Sequence, residues 1–257
     1  MKIGLYQMVN HGMISLNYCQ IREGIIEAHE NNCDLVVFPE CALTGYPPVE
    51  TKIDLNSMKN DIDLYEKKLR KDAKDFNIYL IFGTIRFDGE KRYNTLKVIN
   101  REGKVIEHYD KRALWGYDLQ NFEQGHAYKS VYIDNLHIGL SICFEIRFPE
   151  FYRQHRINNV DLMLTCFCDI SAQDNPSRYD LIKGHIQTRA VENILTHLTV
   201  NSASIYQTAP TGIFDIYGYE ILRTAKHVNE LLVYTYERQE LSYGAKGILE
   251  ISKNIMK

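Results

Sequence analysis

Apolar and polar positions along this chain follow two rhythms, strict alternation and a helical spacing of three and four. Residues 2–9 alternate and predict an opening strand. Ile21, Ile25 and Ala28 then recur at i, i+4 and i+7, which marks one face of a helix. Residues 34–38 are apolar on both faces, as expected of a strand buried between layers. The strand runs into Pro39-Glu40, and Thr44-Gly45-Tyr46-Pro47-Pro48 predicts a loop. A second helix is carried by Met58, Ile62, Tyr65, Leu69, Ala73 and Phe76. Strands are predicted at 78–87, 93–100 and 105–109, with Arg101-Glu102-Gly103-Lys104 as the hairpin turn between the last two. Residues 111–127 show no period, and a long ordered loop in a compact domain tends to be functional. Strands at 130–133, 138–143 and 162–168 alternate with helices at 148–156 and 179–194. Strands at 198–201, 212–216 and 231–235 complete the set, and the remaining tail reads as an extension. No linker, repeat or low-complexity tract interrupts residues 1–257, so the pattern predicts one α/β domain with sheets covered by helices.

Composition narrows the partners. A net charge of −3 offers no basic footprint for nucleic acid. The run Lys67-Lys68-Leu69-Arg70-Lys71 is flanked by Glu66 and Asp72 and reads as a solvated helix face. No stretch of about 18 apolar residues is present to span a membrane. The first residues lack the long apolar segment of a signal peptide, so the cytoplasm is the expected compartment. The six cysteines form no CxxC pair, and Cys166-x-Cys168 lacks two further ligands for zinc. Buried small hydrophobes describe most of them.

Three positions stand apart because each sits where a strand gives way to a loop. Residues 138–143 place Ile138, Leu140 and Ile142 on one face and Gly139, Ser141 and Cys143 on the other. The pattern changes sharply after Cys143, and a nucleophile at such an elbow can have backbone amides behind it to face an oxyanion. Glu40 ends a buried strand, where α/β proteins place ligands. Lys111 opens the aperiodic loop. Taken singly, each has a plain reading: a core cysteine, a solvated glutamate, a surface lysine. Taken together they make a workable site, because a thiol needs help to become a thiolate. A carboxylate can act as base and an ammonium can steady an oxyanion.

The text around these residues resembles the three motifs of the nitrilase, or carbon–nitrogen hydrolase, superfamily. Val37-Phe38-Pro39-Glu40 with Thr44-Gly45-Tyr46 is similar to its glutamate motif. Tyr93-Asn94-Thr95 followed by Tyr109-Asp110-Lys111 is similar to its lysine motif. Residues Ile142 to Glu150 resemble its cysteine motif, and Thr188 to Asn193 with Asn201 resemble the helix and strand that follow. The resemblance implies a four-layer α-β-β-α sandwich, commonly paired into a homodimer or higher homo-oligomer. It implies Glu40, Lys111 and Cys143 as catalytic residues, with the Phe144 amide beside Lys111 as oxyanion donor, and no metal or organic cofactor. It further implies a small-molecule amide as substrate and a thioester on Cys143 as intermediate.

The chain departs from that pattern in places. The second glutamate often found after the lysine is absent; Asp118 best takes its place, with Glu123 as the other candidate. Ala113 stands where histidine is frequent, and Glu145 where aspartate is common. Tyr46, Trp115 and Tyr117 are expected near the mouth of the site, either lining it or packing its loops. Arg147 is expected to form a structural ion pair, with the binding of a substrate carboxylate as the alternative reading. His137 lies about 20 Å back along the strand from Cys143 by the rise per residue, and no spacing ties another histidine to it.

The leading expectation is an amidase acting on the ω-amide of a small keto acid. An N-carbamoyl amine hydrolase is the nearest rival, and a true nitrilase is less favoured. A Cys–His hydrolase of another type and a non-catalytic binding protein that kept the fold are the readings from other classes. Rapid, selective alkylation of Cys143 would favour an enzyme, since an activated thiolate should react faster than an ordinary thiol.

Overall fold

Parallel neighbours in a sheet require a crossover, and this chain makes two such crossovers in each half. The computed structural model describes residues 1–171, 173 and 175–255. The first half runs β1 (Lys2–Gln7), α1 (Ile14–Glu30), β2 (Leu35–Val37), α2 (Lys59–Asp75) and β3 (Tyr79–Asp88). It continues antiparallel through β4 (Lys91–Ile99) and β5 (Val105–Asp110). After a short helix, α3 (Tyr117–Asn121), come β6 (Ser130–Ile133), β7 (Leu136–Ile142), α4 (Pro149–Ile157), β8 (Leu162–Phe167), α5 (Ser177–Asn193) and β9 (Thr196–Asn201). The chain ends with β10 (Gly212–Phe214), β11 (Glu220–Arg223), β12 (Glu230–Thr235) and α6 (Tyr243–Ile255). One sheet has the order β12-β1-β2-β3-β4-β5 and the other β11-β10-β9-β8-β7-β6.

Alternation of side chains across each strand builds the layers. Ile3, Leu5, Leu35, Val37 and Ile81 point from the first sheet toward Ile138, Leu140, Ile142, Leu162 and Leu198 of the second, forming the core between them. The opposite face, with Val36, Phe38, Leu80 and Phe82, packs on Ile21 and Ile25 of α1 and Ile62 and Leu69 of α2. In the second sheet Met163, Phe167 and Phe214 pack on Tyr152 of α4 and Ile182 and Ile186 of α5. The result is the expected four-layer α-β-β-α arrangement. A bridge between Met8 and Ser202, reinforced by Ala203 N–H donating to the Met8 carbonyl at 2.8 Å, joins the two sheets at one end.

Three elements escaped the pattern. β11 has three exposed residues of four, with Ile221 and Leu222 adjacent, so it shows no alternation. It pairs with β10 through the turn at Asp215–Gly218, where the Asp215 side chain accepts from the Tyr217 and Tyr219 amides. α6 carries Gly244 and Gly247, which weaken helix propensity, and it forms over Ile194 and Ile216. α3 interrupts the expected loop at 111–127 with a single short turn. Residue Cys168 also lies beyond β8, which stops at Phe167.

Gly83 on β3 decides how closely the Glu40 segment lies on the sheet. Its carbonyl accepts from Leu43 N–H and its N–H donates to the Pro39 carbonyl, both at 3.0 Å. A Cβ there would collide with the Cys41 amide nitrogen and the Pro39 carbonyl. Gly83→Ala is therefore expected to cost about 1–3 kcal/mol, the usual range for overpacking, measured as a lower midpoint in urea unfolding. An unchanged midpoint would show that the Glu40 segment can move away from β3.

Candidate active site

Strand ends bring the candidate residues to one end of the sandwich. Glu40 follows β2, Lys111 follows β5, Cys143 follows β7, and Cys168 follows β8 by one residue. Glu40, Lys111 and Asp118 are only 1%, 2% and 1% exposed. The Lys111 Nζ donates to Glu40 Oε1 at 2.8 Å and to Asp118 Oδ2 at 2.7 Å. Asn94 on β4 donates its side-chain amide to the same Glu40 oxygen at 2.7 Å, and its carbonyl accepts from the Lys111 backbone. The other oxygen, Oε2, accepts from the Cys168 amide at 2.9 Å. Glu40 is thus held by donors from both sheets.

Asp118, on α3, takes the place beside Lys111, whereas Glu123 is exposed. Its second oxygen accepts from the Tyr46 hydroxyl at 2.8 Å. The Tyr46 ring also lies 5.8 Å from Lys111 Nζ, so this tyrosine supports the charge cluster. Trp115 stacks on Phe144, with ring centroids 5.9 Å apart, and stays 67% exposed.

Cys143 opens a 3₁₀ turn, Cys143–Arg147, at φ 44°, in the left-handed region that costs a non-glycine residue energy. Glu145 makes this turn possible. Its carboxylate accepts from the Ile142 amide at 2.7 Å and from the Arg112 amide at 2.6 Å. It thereby joins the backbone just before Cys143 to the backbone just after Lys111. The Tyr109 hydroxyl adds bonds to both of its oxygens, at 2.8 and 2.7 Å. Sequence reading treated Glu145 only as a mild departure. The available signal was a carboxylate two residues after the candidate nucleophile.

Charge states follow from burial and neighbours. Burial opposes the charge on Lys111, but Glu40 and Asp118 outweigh it and hold its pKa well above the usual lysine value. Burial raises Asp118, with Lys111 pulling the other way. The Cys143 thiol is pushed well above its ordinary value, first by burial and then by the Glu40 carboxylate, against Lys111. Burial and Glu40 thus favour the neutral form of the thiol, and the two acidic neighbours favour the charged form of Lys111. Slow alkylation at neutral pH is thus the expected behaviour of this thiol, and it does not separate an enzyme from a binding protein.

Other expectations resolve differently. Among the described residues Arg147 forms no ion pair; its guanidinium lies 5.5 Å from the Phe144 ring centre. His137 bonds Ser130 Oγ at 2.7 Å; His155, on α4 against the Leu140 carbonyl of β7, and His197, on β9, are buried. A chain of hydroxyls runs from Glu145 through Ser141, Tyr152 and Thr165 to His197 Nε2. No grouping of three or more His, Cys, Asp or Glu among the described residues is placed to hold a metal ion. No helix among them is long and apolar enough to cross a membrane.

Residues 2–205 match the family described as carbon-nitrogen hydrolase. The chain belongs to that family. It is 27% identical over 178 residues to the 2-oxoglutaramate amidase of Bacillus subtilis (strain 168), covering 66% of this chain and 64% of that protein. It is 26% identical over 263 residues to the apolipoprotein N-acyltransferase of Aquifex aeolicus (strain VF5), covering 95% of this chain and 51% of that protein. The chain thus spans less than two thirds of either relative. In structure this carbon-nitrogen hydrolase family member superposes on a mutant of an amidase of the nitrilase superfamily from Nesterenkonia AN1 with a TM-score of 0.81. That match has 20% identity and covers 100% of this chain and 95% of that one, and it shows the shared fold.

Burial pushes the His155 and His197 pKa values down to about 3, from an ordinary 6.5. Between those values the unfolded chain binds protons that the folded chain does not, so stability falls as pH drops. Urea midpoints are expected to decline from about pH 6.5 downward, opposed in part by Asp118, Glu50 and Glu145, whose raised pKa values let the fold take up protons. A midpoint flat between about pH 6.5 and 5 would show that the two histidines do not dominate that balance.

Proposed function

We propose that this chain is an amidase that cleaves the ω-amide of a small carboxylic acid through a thioester on Cys143. The observation that carries the reading is the buried Glu40–Lys111–Asp118 cluster at the same strand-end face as Cys143, which stands at a left-handed turn. In this reading Glu40 takes the thiol proton as sulfur attacks the amide carbon. The Lys111 ammonium and the Phe144 N–H steady the resulting oxyanion. The carbon–nitrogen bond breaks, and the proton held by Glu40 passes to the departing nitrogen as ammonia leaves. Glu40 then accepts a proton from water, whose oxygen attacks the thioester. The acid is released and the thiol is restored with that proton. A neutral resting thiol fits this scheme, because proton transfer and attack then occur together only when a carbonyl carbon is in reach.

The similarity to a protein named 2-oxoglutaramate amidase supports a keto-acid ω-amide as the substrate class. Ammonia release across ω-amides, carbamoyl amines and nitriles is expected to single out the ω-amides. Cys143→Ala should lose at least about a thousandfold in kcat, as nucleophile removal does elsewhere. Turnover confined to carbamoyl amines would replace the substrate class. Turnover that survives in Cys143→Ala would remove the thioester route altogether.

A further inference from the structure

Glu50 is a carboxylate that neither the motifs nor the scheme above uses. It closes the loop after Pro47-Pro48 and grips Tyr46 twice. Its backbone N–H donates to the Tyr46 carbonyl at 2.8 Å, and its Oε2 accepts from the Tyr46 N–H at 3.0 Å. Its Oε1 accepts from the hydroxyl of Ser202, the residue that bridges Met8 across the sheets. None of these partners is a cation. Among the described residues no cation pairs with this half-buried carboxylate, so it loses hydration without an ion pair in return, and its presence calls for a task.

We propose that Glu50 is a positioning residue for the reaction, fixing Tyr46 and through it the Asp118–Lys111 pair. The chain of contacts is short. Glu50 holds the Tyr46 backbone, the Tyr46 hydroxyl holds one oxygen of Asp118, and the other oxygen holds Lys111. Lys111 can meet a developing oxyanion only if it stays where the two carboxylates place it, and such donors act over a few tenths of an ångström. The inference rests on the amidase reading, because it concerns the placement of the ammonium that reading assigns.

The test is a mutant cycle on whichever amide the wild type turns over, with folding checked by thermal melts. Glu50→Ala and Tyr46→Phe are each expected to lower kcat about tenfold or more with KM within about threefold, the pattern of lost alignment. Glu50→Gln keeps an acceptor for Tyr46 and a donor for Ser202, and should recover to within about threefold of wild type. The double variant Glu50→Ala/Tyr46→Phe should be no slower than the slower single, since both break one chain. If Glu50→Ala does not fold, Ser202→Ala in the same cycle with Tyr46→Phe carries the test, with the same non-additive loss expected. Wild-type kcat in the folded Glu50 or Ser202 variant, no recovery with Gln, or multiplying losses would each overturn the proposal while leaving the amidase reading intact. A wild type inert on every amide overturns the amidase reading and this inference with it.

Discussion

A lysine ammonium with almost no exposure must be paired, and the arrangement at one end of this sandwich follows from that requirement. Lys111 has two carboxylates within 2.8 Å, one from each side. Removing one partner of a buried pair typically costs about 3–5 kcal/mol, because the remaining charge stays out of water. The loops bearing Glu40 and Asp118 are therefore held together by the lysine as much as the lysine is held by them. Asn94 and the Cys168 amide satisfy the remaining capacity of Glu40, and Tyr46 that of Asp118. The charges are ordered before any substrate arrives, which is the condition under which electrostatic stabilisation is effective.

Glu145 solves a second problem, the strain at Cys143. A non-glycine residue at positive φ persists only where its surroundings over-determine it. Here the same carboxylate holds the amides of Ile142 and Arg112 and the hydroxyl of Tyr109. The backbones beside Cys143 and Lys111 are thus referred to one common anchor. Behind it, Ser141, Tyr152, Thr165 and His197 Nε2 form a hydrogen-bonded polar chain within an apolar layer, and such networks favour one arrangement of a core over others.

The two sheets matter to the site because its parts arrive from both. Glu40 and Lys111 belong to the first sheet and Cys143 and Cys168 to the second. The bridge from Met8 to Ser202, with Glu50 reaching Ser202 from the loop after Glu40, ties the sheets where the site lies. An all-apolar core between the sheets has little preference for one sliding position over another, whereas directional hydrogen bonds at its end do.

Much of this protein was legible from its residues alone. Strands β1 to β10 and β12 and helices α1, α2, α4 and α5 follow from apolar patterning and helical spacing, since burial imposes those patterns on the chain. Glu40, Lys111 and Cys143 stood out because each ends a strand with a group of useful chemistry, and the motifs around them led to the family. What escaped was set by contacts distant in sequence. β11 and α6 carry weak local signals and form against partners already folded. The choice of Asp118 over Glu123, the anchoring role of Glu145, the packing of Arg147 on Phe144 and the grip of Glu50 on Tyr46 follow no helical or strand period, and the bonds Tyr46–Asp118 and Glu145–Arg112 join residues far apart in the chain. Local sequence determines which way a side chain faces along its own strand or helix. Only the packed sandwich determines which buried charge finds which partner, because that pairing is forced when water is excluded and not before.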